Sequence, residues 1–146
     1  VMFHHSLEHM PDNRRALEHA HKLTKERGKV LVRLPLLSDF VWALYRTDWV
    51  QLDAPRHFAL HTVTSFSRLA RECGFQILNT VFDSYPFQFW ASEGYRRGLT
   101  LAEMQRRGYP ESGLTKKELR RLRSLSRRAN TLGLGDQAAF LLAPNR

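Results

Sequence analysis

The sequence predicts an α/β protein in which a mainly parallel sheet is flanked by helices. Three observations lead to this class. Residues 1–35 contain an apolar strand, an amphipathic helix and a second apolar strand, which is the order of a βαβ unit. A further helix and strand follow at residues 62–82, and an apolar strand closes the chain at residues 138–142. A single domain, residues 1–146, is expected, because a chain with 42% hydrophobic content and this length buries one core.

The first predicted unit has recognisable boundaries. Residues 1–3 form its first strand, and Asp12 can cap the following helix by accepting a backbone N–H. Gly28 is a residue type that ends helices, and residues 28–35 have the apolar character of a buried strand. Polar residues are collected just past the first strand, which is where open parallel sheets bind their ligands.

The second helix and strand of the chain follow a less regular segment. Ser38 can cap a short helix near residue 40, and Thr62 or Thr64 can cap the next helix, which Gly74 ends. Residues 75–82 carry apolar side chains on both faces, so this strand is expected to be covered on each side.

The remaining helices precede the last strand. Thr100-x-x-Glu103 and Thr115-x-x-Glu118 are capping boxes, each of which opens a helix. Residues 85–133 are therefore predicted to form a helical insertion before the closing strand.

The net charge of +9 is unevenly placed, since residues 106–128 carry nine Lys or Arg against Glu111 and Glu118. A basic helix of this kind is a solvated face, a docking site for an anionic partner or membrane surface, or a nucleic-acid contact. Mixed charge elsewhere argues against nucleic acid. A non-catalytic module whose basic helix, residues 106–128, docks an anionic partner is thus one functional hypothesis.

The sequence also indicates the compartment. No apolar run is long enough for a membrane span, and no signal peptide is recognisable. The lone Cys73 excludes an internal disulfide and fits a reducing compartment, so a cytoplasmic protein is expected. Cys73 lies on the apolar side of its helix, which favours core packing over a reactive thiol.

A zinc-peptidase pattern occurs near the start of the chain. His5-Ser6-Leu7-Glu8-His9 spells H-x-x-E-H, which needs a helix to bring both histidines to one face. Here the pattern follows a strand, and Pro11-Asp12 places the helix start after it. His57 and His61 lack a third ligand nearby and are expected to bond backbone groups. We therefore expect no metal site, although an unrelated metal enzyme or hydrolase stays an alternative class.

The order of these features resembles the class I S-adenosylmethionine (SAM)-dependent methyltransferases. The run His5-x-Leu7-Glu8-His9-x-x-Asp12, its helix, and Gly28-x-Val30-Leu31-Val32-x-Leu34-Pro35 resemble the family's fourth strand, loop and helix, and fifth strand. The segment Asp53-x-Pro55-Arg56-His57-Phe58, the helix through Phe66 and Leu69, and Gly74-Phe75 resemble the stretch leading to the sixth strand. The resemblance is clear over residues 1–83.

The resemblance implies a partial Rossmann-like sheet with the family's fourth to seventh strands, the last of them antiparallel between the fifth and sixth. The family's glycine-rich loop and the acidic residue that hold the cofactor have no counterpart in this sequence. The chain is thus expected to be a truncated domain, the carboxyl-terminal half of the fold. On its own it would be inactive and bind SAM weakly or not at all.

The resemblance also implies a function for the whole enzyme, which is methyl transfer from SAM to a small-molecule or carbohydrate-like acceptor. Cofactor contacts would come from Phe3, His4, His5 and Leu7 in and after the first strand. His5 and His9 are the candidate general bases, because imidazole accepts protons near neutral pH.

Acceptor-binding residues are expected in the segment after the second strand. By the resemblance, Trp42, Tyr45, Trp49, Arg56 and His57 line the acceptor pocket, while the alternative is that the aromatic residues fill the core beneath a long loop. The exposed first strand is expected to pair with a second copy of the chain, giving a homodimer.

Overall fold

The computed structural model describes residues 1–145. Within them lie four strands: β1 (Met2–His4), β2 (Val30–Pro35), β3 (Phe75–Phe82) and β4 (Gln137–Pro144). The helices of this part of the chain are α1 (Asn13–Leu23), α2 (Asp39–Tyr45), α3 (Val63–Glu72), α4 (Pro86–Arg96), α5 (Leu101–Arg106) and α6 (Lys116–Thr131). Short 3₁₀ helices occur at Leu7–His9, Arg46–Asp48 and Val50–Leu52.

The strands form one sheet in the order β1-β2-β4-β3. β1 and β2 are parallel, and β4 is antiparallel to both β2 and β3. One row across the sheet joins Phe3, Val32 and Phe140, and β3 continues it at Thr80. The mixed α/β class and the antiparallel last strand inside the sheet are therefore confirmed.

Helices α1 and α3 supply the core on one face of the sheet. Buried residues of both helices cluster with alternate strand residues, and the rings of Phe66 and Phe140 lie 4.5 Å apart between centroids. Cys73 belongs to this cluster, as expected. The opposite face carries Met2 and Arg33, which are exposed and half-buried, respectively.

Strand β1 lies at one edge of the sheet, and in this structure β2 is its neighbour. Val1 and Met2 are 51% and 64% exposed there. Pairing of this edge with a second copy of the chain stays a prediction.

Strand β3 contains a bulge that its sequence pattern conceals. Ile77 pairs with Leu142 and Asn79 with Leu141, so Leu78 is an extra residue in the ladder. The bulge reverses the alternation and leaves Leu78 and Val81 exposed at 46% and 52%. The expectation that both faces of this strand are covered is therefore wrong.

Helix α1 ends before Gly28, where the sequence had suggested its stop. Thr24 is the extended C-cap, and its hydroxyl donates to the Ala20 carbonyl at 2.6 Å. Gly28 instead closes a turn by donating its N–H to the Lys25 carbonyl at 2.8 Å. Helix α1 therefore ends earlier than predicted, because the Thr24 hydroxyl bonds a carbonyl of the preceding helical turn.

Helices α2, α4, α5 and α6 bury a second cluster, which we call the helical block, together with the 3₁₀ segments after α2. Both predicted capping boxes are present, at Thr100 and at Thr115. The basic stretch is not one helix, because Gly108 adopts a positive φ of 66° and ends α5, and α6 begins at Lys116.

No helix in the described part of the chain combines the length and the apolar character needed to cross a bilayer.

The buried carboxylate of Asp136 connects the helical block to the sheet. It accepts the Trp49 indole N–H at 2.8 Å and the Ser84 hydroxyl at 2.7 Å, and its backbone carbonyl accepts the Leu36 N–H. Burial raises the pKa of Asp136 to about 6, although the two donors favour its charged form. This group thus links the loop after α2, the turn after β3 and the start of β4.

The raised pKa of Asp136 predicts a specific pH dependence of stability. The folded protein holds the proton of Asp136 more tightly than the unfolded chain does. The resulting stabilisation of the folded state is fully present below about pH 4 and is lost as pH rises through about 6. Asp136→Asn has no such titration. The unfolding free energy of the wild type, taken relative to that of Asp136→Asn, should fall by up to about 3 kcal/mol between pH 4 and pH 7.

Urea denaturation at pH 4, 5, 6 and 7 measures this difference. Asp39→Asn, at an exposed position of α2, is the control and should follow the wild type at every pH. Parallel curves for the wild type and Asp136→Asn would contradict the prediction.

Candidate functional site

The candidate site lies where β1 ends. His5 has a positive φ of 48°, so the chain turns sharply into the 3₁₀ helix Leu7–His9. The loop after Leu52 packs against this turn. The Phe58 N–H donates to the Glu8 carbonyl at 2.8 Å, and a ring nitrogen of His9 bonds the Arg56 carbonyl.

Four residues converge at this point: His5, Glu8, His9 and His57. We call them the β1-end cluster. His57 reaches it only through the fold, because it lies far from the other three in the chain.

His5 bonds a partner through each ring nitrogen. Its Nε2 lies 3.0 Å from Nη1 of Arg33, and its Nδ1 lies 3.2 Å from Oε1 of Glu8. Because a guanidinium only donates, Nε2 accepts and Nδ1 carries the proton that is given to Glu8. The lone pair of His5 is thus engaged by Arg33.

Arg33 is a residue of the site that the sequence analysis missed. Its Nε donates to Asp83 at 2.5 Å, and its Nη1 lies 3.0 Å from Nε2 of both His4 and His5. The sequence did contain one indication of its role, because Arg33 is the single charged residue in the otherwise apolar strand β2. Such a residue needs a partner when it is half-buried.

Glu8 is 2% exposed, and burial alone would raise the pKa of its carboxyl. The hydrogen bond from His5 and a bond from its own backbone oppose the effect of burial, and the pKa is lowered. Glu8 is therefore ionised at neutral pH. Its Oε2 is buried and has no hydrogen-bond partner among residues 1–145.

The rings of His9 and His57 lie 4.7 Å apart between centroids. Nδ1 of His9 donates to the Arg56 carbonyl at 3.0 Å, and Nδ1 of His57 donates to the Gln51 carbonyl at 2.8 Å. Since carbonyls only accept, Nδ1 of each ring carries a proton, and Nε2 is the nitrogen that has a lone pair when the ring is neutral. His57 thus makes the backbone bond expected of it, whereas the same expectation for His61 is wrong, because its ring bonds the side chains of Ser65 and Asn13.

The predicted aromatic acceptor residues lie in the helical block, apart from the β1-end cluster. Trp49 is buried at 1% exposure and bonded to Asp136. Trp42 is half-buried beneath Arg46, whose guanidinium carbon lies 5.8 Å from the ring centroid.

Tyr45 borders a cavity of about 320 Å³ between α2, α4 and α6. Burial raises the pKa of its hydroxyl, and the neighbouring Glu93 adds to this rise. Arg96, Arg97 and Arg121 also border the cavity. Of the five predicted acceptor residues, Arg56 and His57 are the two that the structure brings to the β1-end cluster.

The predicted cofactor residues form one strand edge and the turn after it. His4 is exposed, Phe3 and His5 are half-buried, and Leu7 is fully buried in the core. Binding pockets enclose most of a ligand's surface, and one strand edge cannot surround a nucleoside. In the described chain these residues therefore do not by themselves fit SAM.

Comparisons with known proteins bear on the family. A model of the family described as a methyltransferase domain matches residues 1–80. This match covers β1, α1, β2, α2 and α3 and most of β3. A comparison with curated protein sequences gives no match.

Solved structures share the fold at low sequence identity. A protein assigned as a sarcosine dimethylglycine methyltransferase from Galdieria sulphuraria is 16% identical, with 97% of this chain and 51% of that one covered at a TM-score of 0.53. A protein assigned as a methyltransferase from Bacillus halodurans is 12% identical, with 99% and 68% covered at 0.55. A mycolic acid cyclopropane synthase, solved with S-adenosylhomocysteine, is 14% identical, with 97% and 54% covered at 0.52.

The chain spans about half the length of the Galdieria protein and of the cyclopropane synthase. Both of these structures share the fold of this chain at TM-scores above 0.5. Since the family model matches more than half of the residues, the chain belongs to the methyltransferase domain family and has the fold of class I SAM-dependent methyltransferases.

Proposed function

We propose that this chain forms the acceptor side of a SAM-dependent methyltransferase that acts on a small-molecule or carbohydrate-like acceptor. The family match over residues 1–80 carries the proposal. SAM supplies the methyl group in such an enzyme. The β1-end cluster supports an acceptor role here, because it places imidazoles beside a buried carboxylate at the carboxyl end of a parallel strand.

In this proposal a histidine of the chain removes a proton from the acceptor. Of the two predicted bases, His5 has its Nε2 lone pair engaged by Arg33, whereas His9 has Nε2 available. The Arg56 carbonyl fixes the tautomer of His9 through Nδ1. We therefore propose that Nε2 of His9 takes up the proton that the acceptor loses. His5 then has the role of orienting Glu8.

The 146-residue chain is expected to bind SAM no more tightly than the millimolar range. The reason is that Phe3, His4, His5 and Leu7 offer one strand edge and no enclosing wall. Isothermal titration calorimetry of SAM into the chain is the measurement. A micromolar dissociation constant would show that the residues present complete a cofactor site.

Turnover should depend on His9. In the full-length enzyme, His9→Ala should lower kcat by about 100-fold or more, the usual contribution of a general base. Transfer of a labelled methyl group from SAM to a panel of hydroxyl acceptors is the assay. His9 is exposed, so the substitution leaves the core intact.

His19→Ala is the matched control, because His19 is an exposed histidine on α1 outside the cluster, and its kcat should be unchanged. Wild-type kcat in His9→Ala would remove His9 from catalysis.

A second candidate function rests on α6. Its exposed cations have no carboxylate within 4 Å among residues 1–145, and Glu118 of this helix pairs with Arg97, the residue that follows α4. Uncompensated positive charge on one helix favours an anionic partner. The exposed cations are Lys116, Lys117, Arg120, Arg121, Arg123, Arg127 and Arg128.

Retention on immobilised heparin measures this affinity. Reversing the charge of Arg120, Arg123 and Arg127 together should lower the eluting salt concentration, because fewer counterions are released. Reversal at Lys22, Lys25 and Arg27, which are exposed in the last turn of α1 and in the segment after it, is the control with the same change in net charge. Equal losses in both variants would mean that net charge alone, and no α6 surface, determines binding.

A further inference from the structure

We propose that Glu8, His9 and His57 form a binding site for a zinc-type divalent cation. The proposal does not depend on methyl transfer, because it concerns the affinity of the folded chain for the ion alone.

The three side chains offer ligand atoms that all lie within 4.8 Å of one another. A tetrahedral zinc ion holds nitrogen and oxygen ligands at about 2.0–2.2 Å, which places neighbouring ligand atoms about 3.3–3.5 Å apart. The observed spacing is therefore somewhat wide for a bound ion. Binding of an ion therefore requires the three side chains to move closer together.

The two histidines already have the tautomer that a metal ligand needs. The bonds from Nδ1 of His9 to the Arg56 carbonyl and from Nδ1 of His57 to the Gln51 carbonyl place the proton of each neutral ring on Nδ1, so Nε2 is the nitrogen that can bind a metal. Metal-binding histidines commonly donate their second ring N–H to a backbone carbonyl in this way. The same bonds fix the orientation of both rings before any ion binds.

Glu8 provides an independent indication. Its side chain is almost fully buried, and its Oε2 lacks a hydrogen-bond partner within the described residues. A buried carboxylate oxygen without a donor is costly unless a cation compensates it. Its other oxygen accepts from His5, which orients the carboxylate as the outer hydrogen bonds of metal ligands do.

The backbone also holds the two halves of the site together. The Phe58 N–H donates to the Glu8 carbonyl at 2.8 Å, directly beside His57. Asp53 lies near the site, with Oδ2 at 3.7 Å from Nε2 of His57, but Arg56 already pairs with this carboxylate. We therefore leave Asp53 out of the ligand set.

The donor set determines the class of metal. Two imidazoles and one carboxylate suit zinc and similar transition ions, whereas magnesium and calcium prefer oxygen ligands. Three protein ligands leave the fourth position of a tetrahedral ion open to water or to an oxygen of another molecule. In the zinc-bound form Nε2 of His9 is a ligand, so this form and the proton-accepting form of His9 exclude each other.

Calorimetric titration of Zn²⁺ into the untagged, metal-free chain tests the site. We expect one ion per chain, with affinity about ten-fold or more weaker in His9→Ala and in His57→Ala. His19→Ala, which removes an exposed histidine from α1, should bind as the wild type does. Mg²⁺ titrated under the same conditions should give no comparable binding.

A second measurement keeps the test independent of folding defects. Zn²⁺ should raise the Tm of the wild type and of His19→Ala, and the shift should be lost in His9→Ala, whose substituted side chain is exposed. Absence of zinc binding in the wild type would overturn the proposal. So would unchanged affinity in both His9→Ala and His57→Ala, or an equal loss in His19→Ala. None of these measurements uses SAM or an acceptor, so failure of the methyl-transfer proposal would leave them unaffected.

Discussion

The buried carboxylate of Asp136 holds the helical block against the sheet. Its two oxygens bind donors from separate parts of the chain, the Trp49 indole and the Ser84 hydroxyl, at the point where β4 enters the sheet. The Ser84 carbonyl in turn accepts from Ser126 and Asn130 on α6. Through these bonds one charged group fixes the position of α6, of the turn after β3 and of the segment after α2.

The position of the β1-end cluster follows from the same anchor. Trp49 is fixed at Asp136, and the chain that leaves it runs through the 3₁₀ helix Val50–Leu52 to His57. There the Phe58 N–H meets the Glu8 carbonyl, so the turn after β1 and this loop define each other's position. A site made of side chains on two loops is thereby held in place by hydrogen bonds to the backbone of the loop after Trp49.

Charge is distributed differently in the two halves of the molecule. Near the sheet, several cations are paired or bonded, as Arg33 is to Asp83 and to two histidines. On α6 the arginines face solvent without carboxylate partners among residues 1–145. The paired cations stabilise a particular arrangement of side chains, while the unpaired ones create a long-range field that acts on other molecules. The family fold thus carries a chemically specific region and a separate electrostatic surface.

The sequence by itself determined the elements whose causes are local. Asp12, Ser38, Thr100 and Thr115 cap helices because a side-chain oxygen reaches a backbone N–H within the same turn. The apolar pattern of the strands and the order of the family motifs gave the sheet class and the antiparallel last strand. Where a competing local bond existed, as at Thr24, the sequence placed the end of a helix too late.

Only the tertiary structure decided which distant side chains meet. Trp49 and Asp136 are separated by 87 residues and Arg33 and Asp83 by 50, and no periodicity in the sequence couples such positions. The bulge at Leu78 shifted the faces of β3, because strand alternation can be read only after the pairing register is known. His57 likewise joins Glu8 and His9 through backbone bonds between two loops, and such bonds depend on the packing of the whole chain rather than on residue type.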